Sequence, residues 1–333
     1  MPDTLVYIGY AVTVIVVVLL SFKLGKYVDI IDAKSKISGA FIGGVMLAAV
    51  TSLPELFTSL SSVWIVRESS LVIGNILGSD LINLAFFGVI LLVFTRGMRK
   101  AKFSKYYITS LLVGLLLYGL VAVGMFLDDY MRLGWYSVTS PIILATYIML
   151  VYKMPKTAEE EGGADEDMPL KTAVIRFSIC AVVLIGVSIL MTYLTDIVAD
   201  KLELGKTFAG ALFLGVATSL PELISSVTLC YRGNFNAAAG NIIGSNMFNL
   251  AILTVADILS FGSASQVYVL NAESFWLLVF GFAATISTLA VQLIKRRKQF
   301  IGIGATVGVQ ALNALPPILY LLFLLLTTGV IPI

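Results

Sequence analysis

The sequence predicts an all-α membrane protein, with about ten transmembrane helices arranged as two inverted five-helix repeats. Three observations carry that expectation. The chain of 333 residues is 59% hydrophobic and only 13% charged, about half the charge density of an ordinary soluble domain. Its apolar stretches reach the roughly 20 helical residues needed to cross a hydrocarbon core of about 30 Å. The segment Thr-Ser-Leu-Pro-Glu occurs twice, at 51–55 and at 218–222, and such self-similarity is the mark of an internal repeat.

So low a charge density leaves too little polar surface to keep the chain dissolved, and a membrane protein is the only class that fits. Spans are expected near 5–22, 37–65, 70–94, 107–127, 137–152, 172–195, 207–231, 236–260, 274–294 and 305–328. Several exceed one crossing, which predicts tilted or broken helices. The first stretch has no basic segment before it and no small-residue cleavage site before Lys23, so it reads as a span rather than a removable signal. Cys180 and Cys230 both fall inside spans and read as reduced apolar residues, not a disulfide. There is no histidine.

Ten spans put both termini on one side of the membrane. With the termini outside, only Arg67, Arg132, Lys201 and Lys206 of the 22 basic residues stay on the outer side. That is the asymmetry the positive-inside rule requires.

The repeat extends past the shared pentapeptide. Gly74-Asn75-Ile76-Leu77-Gly78-Ser79-Asp80-Leu81-Ile82-Asn83 matches Gly240-Asn241-Ile242-Ile243-Gly244-Ser245-Asn246-Met247-Phe248-Asn249. Each half holds five spans. An odd number turns the second half over relative to the first, so the two copies enter the membrane from opposite sides. Secondary transporters are commonly built this way, with the binding site at the repeat interface near the midplane. The predicted halves are 1–152, with its repeat at about 39–94, and 172–333, with its repeat at about 207–260. Between them, 153–171 is an inner-side linker whose acidic run includes Glu159, Glu160, Glu161, Asp165, Glu166 and Asp167. A solvated flexible segment is the ordinary reading of such a run.

Glu55 and Glu222 are the central candidates. A carboxylate within a span costs at least about 2.5–3.5 kcal/mol on insertion scales and marks a functional site by default. Two at equivalent positions of inverted copies converge on one place and supply charge for one divalent or two monovalent cations. Pro54 and Pro221 free the carbonyls of Val50 and Ala217 and predict kinks, with Ala48 and Gly215 just before. Thr51, Ser52, Thr218 and Ser219 bring hydroxyl oxygens within one turn, although such groups often bond only their own helix. Ser79 with Asn83, and Ser245 with Asn249, are four apart and add neutral oxygens. Gly74, Gly78, Gly240 and Gly244 suit close helix packing; Asn75 and Asn241 suit either ligation or a bridge between helices. The donor set is all oxygen, which favours Ca²⁺ or Na⁺ over Zn²⁺ or Cu⁺, with Mg²⁺ weaker because it dehydrates reluctantly.

The duplicated Thr-Ser-Leu-Pro-Glu and Gly-Asn-x-x-Gly-Ser resemble the alpha repeats of the Na⁺/Ca²⁺ exchanger family, within the cation/Ca²⁺ antiporters. The resemblance implies alternating access, with Na⁺ and Ca²⁺ competing for overlapping central sites. It implies that Glu55 and Glu222 are the principal Ca²⁺ ligands. Thr51, Ser52, Thr218, Ser219, Ser79, Ser245 and Asn83, with the Ala48 and Gly215 carbonyls, complete the shell. Asn249 departs from the pattern, since many members carry Asp there. Asp80 departs too, where Asn is usual, and one residue beyond Ser79 puts it about 100° around the helix, facing away from the centre toward a packed polar contact or a water path. Exchange of three Na⁺ for one Ca²⁺ would move one charge per cycle, worth about 2.3 kcal/mol per 100 mV.

The function expected is Na⁺-driven Ca²⁺ antiport at a plasma membrane, with the bilayer and the transported ions as partners, no cofactor, no nucleic acid and no enzymatic reaction. H⁺/Ca²⁺ exchange or exchange of another cation in the same fold stays open. A channel would want a symmetric oligomeric pore rather than inverted halves in one chain.

Overall fold

The computed structural model describes residues 3–35, 41–66, 70–101, 103–127, 130–154, 168–201, 215–261, 266–296 and 303–327. The acidic run at 159–167 and the beginnings of the spans expected at 37–65 and 207–231 lie outside the described residues. Helix α1 is Asp3–Lys34. Helices α2, Ile42–Thr51, and α3, Leu53–Trp64, are two arms of one span bent by 40°. Then come α4, Ser70–Val93, a short α5, Thr95–Lys100, and α6, Lys105–Phe126. Strands β1, Arg132–Leu133, and β2, Tyr136–Ser137, form a small antiparallel hairpin before α7, Thr139–Tyr152. The second half follows with α8, Leu170–Lys201, α9, Gly215–Tyr231, α10, Phe235–Ile258, α11, Ala272–Arg296, and α12, Ile303–Thr327.

Taking the bent pair as one and setting α5 aside, each half contributes five helical units. Their packing repeats with the sequence. Helix α1 packs along α8; α4 packs against α10; α4 also contacts α11 and α12, as α10 contacts α6 and α7. Exchanging the two halves therefore maps these contacts onto themselves, as a two-fold relation requires. The motif helices α4 and α10 are the most buried of the long helices, whereas α1 and α12 present most of their apolar surface outward. In a bilayer this arrangement keeps polar groups inside and gives lipid the apolar faces.

Close approach fixes the centre. A Cβ on Gly244 would land on the carbonyl oxygen of Gly44 in α2, so only glycine lets these helices meet there. A Cβ on Gly74 or Gly78 meets no described atom within 4 Å. Polar groups tie the ends. Asn234 caps α10 by accepting the Ala237 N–H at 3.1 Å, and its amide donates to Asp29 at 3.2 Å and Asp32 at 2.7 Å on α1. Arg232 donates to the other Asp29 oxygen at 2.7 Å. At the far end of α10 the indoles of Trp64 and Trp135 donate to the Leu259 and Ile258 carbonyls, each at 3.0 Å.

Four details differ from the sequence expectation. Helix α1 runs to Lys34 instead of ending near 22, because Asp29 and Asp32 find buried partners and Lys23 to Lys34 need not form a loop. Pro54 stands at a break, Ser52 having left helical geometry at φ −91°, ψ 8°, but Pro221 lies within a continuous α9. A proline removes one hydrogen bond without ending a helix when neighbours hold the flanking turns. The hairpin and α5 were not legible at all. Helix α12 shows how a lost bond is repaired: Pro316 frees the Leu312 carbonyl, and the Ser287 hydroxyl of α11 donates to it at 2.7 Å.

Candidate cation site

The two copies of the pentapeptide lie on α2, α3 and α9, and the serine–asparagine pairs lie on α4 and α10. Glu55, Glu222, Thr51, Ser52, Thr218, Ser219, Ser79, Ser245, Asn83 and Asn249 are all fully buried. Ser52 leaves the helix at the break and its hydroxyl crosses to the other half, donating to Glu222 Oε1 at 2.9 Å. Ser245, from α10, reaches the same oxygen at 3.5 Å. Glu55 sits against Glu222, Thr218 and Ser79, so the two acidic groups share one buried space.

Hydrogen bonds do not satisfy this cluster. Both carboxylate oxygens of Glu55, one of Glu222, the hydroxyls of Ser79 and Ser219, and the side-chain oxygens of Asn83 and Asn249 are buried without a partner. Leaving one buried polar group unmade costs about 1–3 kcal/mol, and more for a charge. Buried charges persist when they are paired or coordinate a metal. These groups are oxygens, apart from the Asn83 amide nitrogen, so the partner that fits is a hard cation. Ca²⁺ takes six to eight oxygens in irregular geometry.

Other predicted residues are placed differently. Thr51 spends its proton on its own helix, donating to Leu47 O at 3.1 Å, so only its lone pairs are free for an ion. The Ala48 carbonyl accepts the Ser52 N–H at 3.0 Å and lies 3.3 Å from the Thr51 hydroxyl, which makes it a poorer ligand than expected. Gly215, the first described residue of α9, lies seven residues, about two turns, before Glu222. Asn241 bridges helices rather than facing the carboxylates: its amide donates to Glu222 O at 3.2 Å, Ser225 at 3.0 Å and Ser226 at 2.9 Å. Asn75 makes the equivalent contact with Ser59 at 3.4 Å. Ser59 and Ser226 stand eight residues after Thr51 and Thr218. The sequence thus carried the signal for this bridge in both copies.

Asp80 was expected to face away from the centre, toward a packed polar contact or a water path. It does lie in a buried polar contact, but one partner belongs to the predicted set: Asn249 donates to Asp80 Oδ1 at 3.0 Å. Tyr118 of α6 donates to Oδ2 at 3.1 Å, and nothing in the sequence marked Tyr118.

Comparison with known proteins agrees with this architecture. The chain is 27% identical over 239 residues to an antiporter candidate, CaxA of Alkalimonas amylolytica, covering 68% of this chain and 72% of that one. Over 93 residues it is 33% identical to the sodium/calcium exchanger MaX1 of Methanosarcina acetivorans, covering 28% of this chain and 25% of the relative. Its fold matches a solved structure of the sodium-calcium exchanger NCX_Mj soaked with Na⁺ and Sr²⁺, with TM-score 0.67 and 20% identity over 94% of this chain and 97% of that one. The family model for sodium/calcium exchanger proteins matches residues 5–154 and 172–329. With nearly the whole chain accounted for in two matching halves, this protein belongs to the sodium/calcium exchanger family.

Proposed function

We propose that the chain exchanges Na⁺ for Ca²⁺ across a membrane by alternating access, binding the ions between its two halves. The observation that carries this reading is the buried Glu55 carboxylate. Neither of its oxygens makes a hydrogen bond of good geometry among the described residues, and they sit beside Glu222 and several unpartnered neutral oxygens. Such a cluster is costly alone and favourable around a cation. Glu55 and Glu222 are the principal ligands in this reading. Ser52, Ser79, Ser219, Ser245, Thr51, Thr218, Asn83 and Asn249 complete the shell, with the Ala48 and Gly215 carbonyls in secondary roles. The family is one of transporters, so the chain is a transporter and not an enzyme. MaX1 and NCX_Mj are named as sodium/calcium exchangers, which supports Na⁺ as the coupling ion.

The working units are the halves 1–152 and 172–333, joined by the linker 153–171. The distribution of basic residues supports a plasma-membrane orientation with both termini outside and the linker inside. Reconstitution in liposomes tests the function. An outward Na⁺ gradient is expected to drive ⁴⁵Ca²⁺ uptake, and a pH gradient alone is not. Uptake driven by the pH gradient with no response to Na⁺ would reassign the coupling ion to H⁺. Absence of uptake under both gradients would remove the exchange reading altogether.

A further inference from the structure

The two motif helices are nearly interchangeable in sequence. Across the aligned segments 74–83 and 240–249 every position is identical or apolar in both copies, with one exception: Asp80 stands where the second copy has Asn246. This single polar difference places a buried carboxylate on α4, and its hydrogen-bonding side-chain partners are the neutral groups of Tyr118 and Asn249.

The consequence lies on Asn249. This residue is one turn beyond Ser245 on α10, and Ser245 touches Glu222. Asp80 accepts through both oxygens, Oδ2 from Tyr118 at 3.1 Å and Oδ1 from the NH₂ group of Asn249 at 3.0 Å, so it engages the NH₂ side of that amide. The amide is thereby fixed with its Oδ1 on the opposite side, and that oxygen is buried without a partner. Asn246 in turn donates to the Asp80 main-chain carbonyl at 2.9 Å, which secures α10 to α4 beside the same contact. The first copy has no such arrangement: both polar atoms of Asn83 lack a partner, and Asn246 offers it no carboxylate.

We propose that Asp80 is a positioning residue for the cation site, holding Asn249 with its side-chain oxygen presented to the ion and polarising that oxygen through the shared hydrogen bond. The site is then lopsided, since Asn249 acts as a carbonyl ligand held from behind by a carboxyl group and Asn83 as an unheld one. Groups that orient and polarise a ligand from behind raise metal affinity about 10- to 100-fold. The inference rests on the exchange reading above, and the test separates the two.

The test measures the full-length protein in detergent for ⁴⁵Ca²⁺ binding and Na⁺ competition, and in liposomes for half-saturation and maximal rate. Asp80→Asn is expected to raise the Ca²⁺ concentration for half-saturation about 10- to 100-fold, with a smaller change in maximal rate. Asn249→Asp alone sets two carboxylates against each other and is expected to weaken binding. The exchange Asp80→Asn/Asn249→Asp keeps the charge and restores a donor–acceptor pair, so it is expected to recover most of the affinity. A purely structural Asp80 would not show that recovery. Binding by Asp80→Asn as tight as wild type, or an exchanged pair no better than either single variant, would overturn the inference. Where Asp80→Asn does not fold, the exchanged pair is compared with Asn249→Asp alone, and equal affinity of those two overturns it. A wild-type protein that binds neither Ca²⁺ nor Na⁺ would instead refute the exchange reading itself.

Discussion

Glu55→Gln should move stability in two opposite directions, depending on whether cation is present. Without cation, the wild-type carboxyl group is buried against Glu222 with neither oxygen hydrogen-bonded among the described residues. Replacing it by a neutral amide of the same shape relieves the crowding of two acidic groups in one buried space, a gain of about 1–3 kcal/mol. In chains of 150–250 residues each kcal/mol moves the melting temperature by about 2–4 °C, and this longer chain belongs at the low end. With Ca²⁺ at about 100 times its dissociation constant, the wild-type protein gains about 2.7 kcal/mol by mass action. Removing one member of a buried charge pair costs about 3–5 kcal/mol, which raises the dissociation constant by at least about two orders of magnitude. The same Ca²⁺ concentration then stabilises the variant by no more than about 0.4 kcal/mol. Thermal unfolding of the purified protein with and without Ca²⁺ measures both effects. A glutamate that merely holds helices together would give the reverse pattern: a lower melting temperature without Ca²⁺ and an undiminished shift with it. That result would refute the assignment.

Two further substitutions test the frame around the site. Gly244→Ala forces a methyl group onto the Gly44 carbonyl of α2, and since backbone must yield, thermal unfolding should show a loss of about 1–3 kcal/mol. Arg232→Ala leaves the Asp29 carboxylate buried with only the Asn234 amide to hold it. The arginine is 25% exposed, so the loss should fall between the surface and buried limits, at about 1–3 kcal/mol. An unchanged melting temperature would show that the pair contributes nothing to the α1 contact.

What the sequence revealed and what it hid follow one physical line. Span positions were legible because lipid demands long apolar runs, and the inverted halves because a motif repeated after an odd number of spans. The paired glutamates stood out because a carboxylate inside an apolar run is expensive. Features that depend on the third dimension did not show. Pro54 and Pro221 are equivalent in sequence, yet one marks a break and the other lies in an unbroken helix, because neighbours decide how a lost bond is absorbed. Asp80 was placed by its angle around α4, and that argument holds only for its own helix. Its partner Asn249 comes from α10, and the crossing of those two helices is not written along either one. The charged residues between Lys23 and Lys34 failed as the sign of a loop for the same reason: Asn234 and Arg232, two hundred residues on, hold the two aspartates within a helix.

The contact map that is unchanged when the halves are exchanged has a kinetic meaning. If the two copies were identical and lay upside down relative to each other, swapping their conformations would turn a form open to one face into a form open to the other. The two forms would have equal energy, and the resting molecule would divide its time evenly between them. Any standing preference for one face must come from positions where the copies disagree. Two of those lie at the centre, the break at Ser52 against the unbroken turn through Pro221 and the acid at 80 against the amide at 246. Under the exchange proposed above, a directional bias of this molecule would be a property of its imperfections as a repeat, and a chain engineered toward perfect repetition would lose it.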